Sequence, residues 1–199
     1  MPNDMIHETV VTTVSADGVI HIAPMGVRHR GGEVILMPFR PSTTLDNIAA
    51  TGSAVVNLTT DVRVFAGCVT GRRDWPTVPA ERIAGVRLQS ALGHLELLLM
   101  QETGDEARPT LRMACVHEGR HAGFAGFNRA QAAVIEGAVL VSRLHLLPPE
   151  KIAGEMEYLQ IAIDKTAGPA EHEAWQWLCA AIAAHAARRE TARTTEESQ

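Results

Sequence analysis

Apolar and polar residues alternate along much of this chain as far as Cys115, and from Asn128 onward apolar residues recur every three or four positions. The first pattern predicts strands and the second helices. Thr9 to Ser15 and Val19 to Ala23 read as a hairpin across Ala16-Asp17-Gly18, after which Pro24-Met25-Gly26 interrupts the pattern. Val34 to Phe39 follows the turn at Gly31-Gly32 as another strand, and Ser53 to Leu58 has the character of a buried one. Between them Leu45, Ile48 and Ala49 form the short apolar face of a helix that stops at Gly52, with Thr43 and Asp46 at capping-box spacing. Leu95, Leu97 and Leu99 share one face of a later strand, as do Leu111, Met113 and Cys115 of the next. Arg72 to Pro79, with two prolines beside a charge cluster, reads as a loop placed to cover a ligand.

In the last third, Ala130, Val134, Ala138 and Val141 suit one helix, and Ile152, Met156, Leu159 and Ile163 a second that ends near Gly168. A third starts at Pro169 with Trp175, Leu178, Cys179 and Ile182 on its inner stripe, and the polar segment from Arg189 to Gln199 is expected to fray. The expected class is therefore α+β: a sheet domain over 1–120, a helical segment over 121–190 and a tail over 191–199. The helical stripes need a partner, either the sheet domain or a second subunit.

The chain is 46% hydrophobic and 21% charged with a net charge of −5, which gives no electrostatic ground for nucleic acid or an anionic membrane surface. Met1 to Asp4 does not open a signal or transit peptide, and no apolar run approaches the roughly 20 residues of a membrane helix. Cys68, Cys115 and Cys179 are odd in number and form no Cys-x-x-Cys, as expected of reduced thiols in a cytoplasm.

Candidate chemistry concentrates at Arg40-Pro41-Ser42-Thr43-Thr44, directly behind a strand and at the start of a helix. First-turn N–H groups have no intrahelical acceptor and lie at the positive end of the helix dipole, so three hydroxyls and a guanidinium beside them suit a phosphate dianion. An ordinary capped helix fits the same residues. Asn57, at a strand end, fits either a ligand-binding amide or the start of a turn. His117-Glu118-Gly119-Arg120-His121 matches the H-E-x-x-H zinc motif, which would make the protein a zinc hydrolase. The strand before it, its central glycine and the run Ala122 to Gly126 argue instead for a loop, and no metal ligand set is expected. Glu8, His21, His29, His94 and His145 show no arrangement that identifies a base, and a glycine-rich dinucleotide fingerprint is absent.

The order strand, strand, strand, helix, strand, with Ala23-Pro24-Met25-Gly26, Ser42 to Ile48 and Val55-Val56-Asn57-Leu58 at the matching places, resembles the flavin reductase-like, FMN-binding split-barrel proteins. Gly126-Phe127-Asn128-Arg129-Ala130, Ala133 to Glu136, Val141 to Leu144 and Glu8 to Thr13 narrow the resemblance to the domain of unknown function 447 family, over most of residues 5 to 185. That resemblance implies a split β-barrel with a helical C-terminal segment, bound FMN, and a homodimer with the flavin between subunits. It implies an oxidoreductase acting on a small molecule, with NAD(P)H as a transient donor. Its alternatives are a flavin carrier without turnover, with a link to methanopterin-dependent one-carbon metabolism, and a deazaflavin or heme in place of FMN. Under it Arg40, Ser42, Thr43 and Thr44 hold the phosphate, Asn57 assists, and Met25, Gly26 and Val27 line the ring. Asn128 and Arg129 reach the phosphate from a partner subunit, or else only start a helix.

Overall fold

The computed structural model describes residues 5–196. Six strands close into an antiparallel barrel: β1 (His7–Val14), β2 (Ile20–Arg30), β3 (Glu33–Leu36), β4 (Ser53–Leu58), β7 (Gly93–Gly104) and β8 (Pro109–Arg120), in the order β1-β2-β3-β8-β7-β4. Closure removes the unpaired edges that an open sheet must protect. Alternation along each strand sends Val11, Val27, Val34, Leu36, Val56, Leu95, Leu97, Leu111 and Met113 into one buried core. Pairing continuous from His7↔Val27 to Val14↔Ile20 carries β2 straight through Pro24, where the sequence pattern breaks.

Leu45 and Ile48 of α1 (Thr43–Thr51) join the same core. The helix is capped one residue earlier than the Thr43 and Asp46 spacing predicts, because Ser42 Oγ accepts the N–H of Leu45 at 3.2 Å. Gly52 ends it in the left-handed region at φ 71°, donating its N–H to Ile48 O at 2.8 Å.

Beyond the barrel wall, the predicted loop at 72–79 contributes a small hairpin, β5 (Thr77–Pro79) with β6 (Val86–Leu88). Side chains on the outer face of the barrel tie it down. Thr12 Oγ1 donates to Val86 O, and the amide oxygen of Asn57 accepts the N–H of Leu88 at 2.7 Å. Glu96, between the inward Leu95 and Leu97, turns outward and accepts three successive backbone N–H groups, from Glu81 at 2.5 Å, Arg82 at 2.7 Å and Ile83 at 3.0 Å. Burial by itself would raise the Glu96 pKa; these donors, with His94, outweigh it and hold the carboxyl below the usual range.

The second compact unit is helical and takes Asp61–Arg72 together with the chain from Ala125 onward. Its helices are α2 (Val62–Val69), α3 (Arg129–Ser142), α4 (Pro149–Thr166) and α5 (Pro169–Glu196). Val62 and Ala66 of α2 pack in one core with Val134, Ala138, Ile163, Trp175 and Leu178. A boundary near residue 120 does not anticipate that inserted helix, because its apolar face is too short to show which core it completes. α5 runs through Glu196, so much of the segment expected to fray is helical; residues 197–199 and Met1 to Asp4 lie outside the described residues. Among the described residues no helix is long and apolar enough to cross a membrane.

Glu96→Gln keeps the side-chain shape and removes an acceptor and the charge, so its unfolding free energy in urea at pH 7 should fall by about 2–4 kcal/mol. A lowered carboxylate pKa stabilises the fold above the ordinary glutamate value of about 4.3 and loses that contribution as pH falls through its folded value. The gap between the two proteins should therefore narrow on acidification below pH ~4.

Candidate functional site

The N-terminus of α1 brings hydroxyls and orphan amides to the surface of the barrel unit. Thr43 is exposed and Ser42 half-buried, and the N–H groups of Thr43 and Thr44 precede the first residue with an intrahelical acceptor. Thr44 differs from expectation: only 2% exposed, its side chain faces inward and leaves its backbone N–H to the helix start. Arg40 differs too, since its guanidinium lies 3.3 Å from Glu102 and its backbone N–H bonds Ala107 O at 2.9 Å. Thr43 opens instead on a cavity of about 300 Å³ shared with Ser15, His21, Asn47 and Arg73. Burial, with a smaller effect from Arg73, lowers the His21 pKa. No sequence pattern ties Arg73 or His21 to the helix start, because only the barrel brings those segments together.

On β2, Met25 packs against the barrel core and Val27 is fully buried. Gly26 lies between them with its open side against the N-terminal segment: a Cβ there would stand 2.6 Å from Ile6 Cγ2. Ile6 and Glu8 line a cleft of about 740 Å³, which Thr9, Gly93, Arg120 and Phe124 also border. Of the residues expected around a ring, Gly26 thus backs onto Ile6 at the rim of the larger cleft while Met25 and Val27 turn to the barrel core, and Thr43 lines the smaller cavity.

Asn57 is 0% exposed and its amide is fully engaged. Nδ2 donates to Val10 O at 3.0 Å and to Thr12 Oγ1 at 3.2 Å, while Oδ1 takes the Leu88 N–H. It therefore clamps β4, β1 and β6 together and has no amide group turned to a ligand. Asn128, in the helical unit, is likewise engaged: its Oδ1 caps α3 through Ala130 N at 2.8 Å, and its Nδ2 donates to Thr166 O at 3.0 Å. Arg129 is exposed at the first position of α3.

His117 to Arg120 belong to β8 and are not a loop, so the spacing that would place two zinc ligands on adjacent helical turns has no helix to act on. The glycine at its centre has a packing reason, since a Cβ on Gly119 would lie 2.4 Å from His94 Cε1. His94, 0% exposed, donates or accepts through Nε2 at 3.1 Å from Glu96 Oε1 and through Nδ1 at 2.9 Å from His121 Nε2. That cluster was missed in the sequence, although His94 and Glu96 alternate with the inward leucines that marked the strand.

Family models for Protein of unknown function (DUF447) match this chain twice, an N-terminal domain over residues 7–122 and a second domain over residues 128–180. The chain belongs to the DUF447 family. The crystal structure of an FMN-bound protein of that family from Methanosarcina mazei is similar over 88% of this chain and 94% of its own, at TM-score 0.76 and 18% identity. A 2-nitrobenzoate 2-nitroreductase from Pseudomonas fluorescens aligns over 61% of this chain and 66% of its own (TM-score 0.50, 17% identity). Flavoredoxin of Desulfovibrio vulgaris aligns over 61% and 73% (TM-score 0.50, 12% identity). No curated protein sequence matches. The fold is that of the flavin reductase-like split barrels, with the helical segment added.

Asn57→Ala strands the Leu88 N–H and two acceptors, and should lower the unfolding free energy measured in urea by about 2–4 kcal/mol. A loss under about 0.5 kcal/mol would show that the clamp is not structural.

Proposed function

We propose that this protein is an FMN-binding flavoprotein that acts as a flavin reductase-like oxidoreductase on a small molecule. One observation carries the reading: nearly the whole chain has the fold of a protein that holds FMN, and at the start of α1 it keeps hydroxyls and orphan N–H groups suited to a phosphate. Ser42, Thr43 and the N–H groups of Thr43 and Thr44 hold that phosphate, with Arg73 as a cation lining the same cavity as Thr43. Met25, Gly26 and Val27 support the ring from β2 through their backbone, since the side chains of Met25 and Val27 pack on the barrel core and Ile6 covers Gly26.

When bound, FMN supplies the hydride-accepting and hydride-donating centre, so the protein's own task is to bind, orient and shield it. NAD(P)H serves as a passing donor. Arg129, exposed at the start of α3, reaches the phosphate from a second subunit. Leu98, Met100 and Val116 expose apolar side chains on β7 and β8, which favours a homodimer.

The purified protein should be yellow and release FMN on heating. Comparing FMN with riboflavin isolates the phosphate: Ser42→Ala/Thr43→Val should weaken FMN at least tenfold, since each charge-assisted hydrogen bond is worth about 1.5–3 kcal/mol, and leave riboflavin affinity unchanged. Equal losses for both flavins would remove the phosphate assignment, and no binding of either would remove the flavin reading.

A further inference from the structure

Antiparallel pairing sets His94 opposite Gly119 and Glu96 opposite His117, so these side chains share the outer face of β7 and β8 with one another. None of them takes part in the flavin reading. Glu96 is filled by backbone donors and, as a carboxylate, can only accept. Its 3.1 Å contact with His94 Nε2 therefore places the ring proton on Nε2 and leaves the lone pair on Nδ1, which lies 2.9 Å from His121 Nε2, so that His121 must turn aside or join the ligands when Nδ1 binds an ion.

Two more imidazoles converge on that ring. The His121 ring stacks on it with centroids 5.0 Å apart and planes 14° from parallel, and the His117 ring centroid lies 5.7 Å away. His117 Nε2 is shielded from water and lies 3.3 Å from a Glu81 carboxylate oxygen without the alignment of a hydrogen bond. One ligand atom each from Glu81, His94 and His117 falls within 4.8 Å of the other two. Two ligands of one tetrahedral zinc stand roughly 3.3 Å apart, given bonds of about 2.0–2.1 Å. The Glu81 and His117 atoms already stand at that spacing, and His94 lies within 4.8 Å of both.

A shielded imidazole nitrogen without a hydrogen bond, such as His117 Nε2, is costly, and a cation held between it and the neighbouring carboxylate removes that cost. We infer that Glu81, His94 and His117 bind a divalent transition-metal ion of the zinc class, with Glu96 fixing the ligating tautomer of His94. Two borderline imidazole nitrogens with one hard carboxylate oxygen are a donor set that zinc accepts, and three protein ligands leave a position for water or for His121. Glu118 takes no part, because on a strand it points to the face opposite His117. In the sequence only His117 and His121 stand at metal-ligand spacing, from which no ligand set is expected; His94 and Glu81 come beside His117 only through the strand pairing and the connection between β5 and β6.

The test uses the full-length protein without a histidine tag, stripped of metal and titrated with Zn²⁺ against a chromophoric chelator, with elemental analysis for stoichiometry. One equivalent should bind. Because His94 is buried beneath other structure, the informative variants are the peripheral His117→Ala and Glu81→Gln, each checked for an unchanged circular-dichroism spectrum. Each should weaken Zn²⁺ at least tenfold while leaving FMN affinity unchanged. Less than one equivalent in the wild type, or undiminished affinity in either variant, would overturn the assignment and leave the cluster an internal hydrogen-bond network only.

Discussion

The buried carboxylate of Glu96, receiving three consecutive backbone N–H groups, is the interaction on which the outer architecture of the barrel depends. A segment that crosses the outside of a closed sheet cannot pair with it through ladder hydrogen bonds, because the strands have used their own. Its N–H groups must find side-chain acceptors or lose them altogether. Glu96 supplies them at Glu81, Arg82 and Ile83, in the connection between β5 and β6, and Asn57 supplies one at Leu88. Both come from strand positions that point away from the core, so the alternation that fills the barrel also places the acceptors that cover it.

The same geometry gathers chemistry that is scattered in the chain. His94 and His117 belong to different strands and Glu81 to the covering turn, yet Glu96 holds the turn down against the ring it also orients. Gly119 is small because the His94 ring lies where its Cβ would be. The N-terminus of α1 draws on other residues altogether. Helix packing through Leu45 and Ile48 fixes its position on the barrel, while Ser42 and Thr43 stay toward solvent.

Some readings of individual residues changed for a common reason. Thr44 and Asn57 carry the right functional groups for a ligand, but both side chains are buried, and the Asn57 amide is taken up by Val10, Thr12 and Leu88. Arg40 carries the right charge and leans on Glu102, a residue 62 positions away. Capping shifted by one residue because Ser42, not Thr43, has the extended backbone that aims a hydroxyl back at the helix.

By itself the sequence determined the strands of the barrel, the short helix after the third strand, the three C-terminal helices and the family, because each follows from local periodicity and from the order of short motifs. Tertiary structure alone decided that Asp61–Arg72 belongs with the helical unit, that His117 to Arg120 continue a strand, and that Glu81, His94 and His117 meet. Those outcomes depend on pairing register and on burial between segments far apart in the chain, and neither is encoded in the pattern of any one segment.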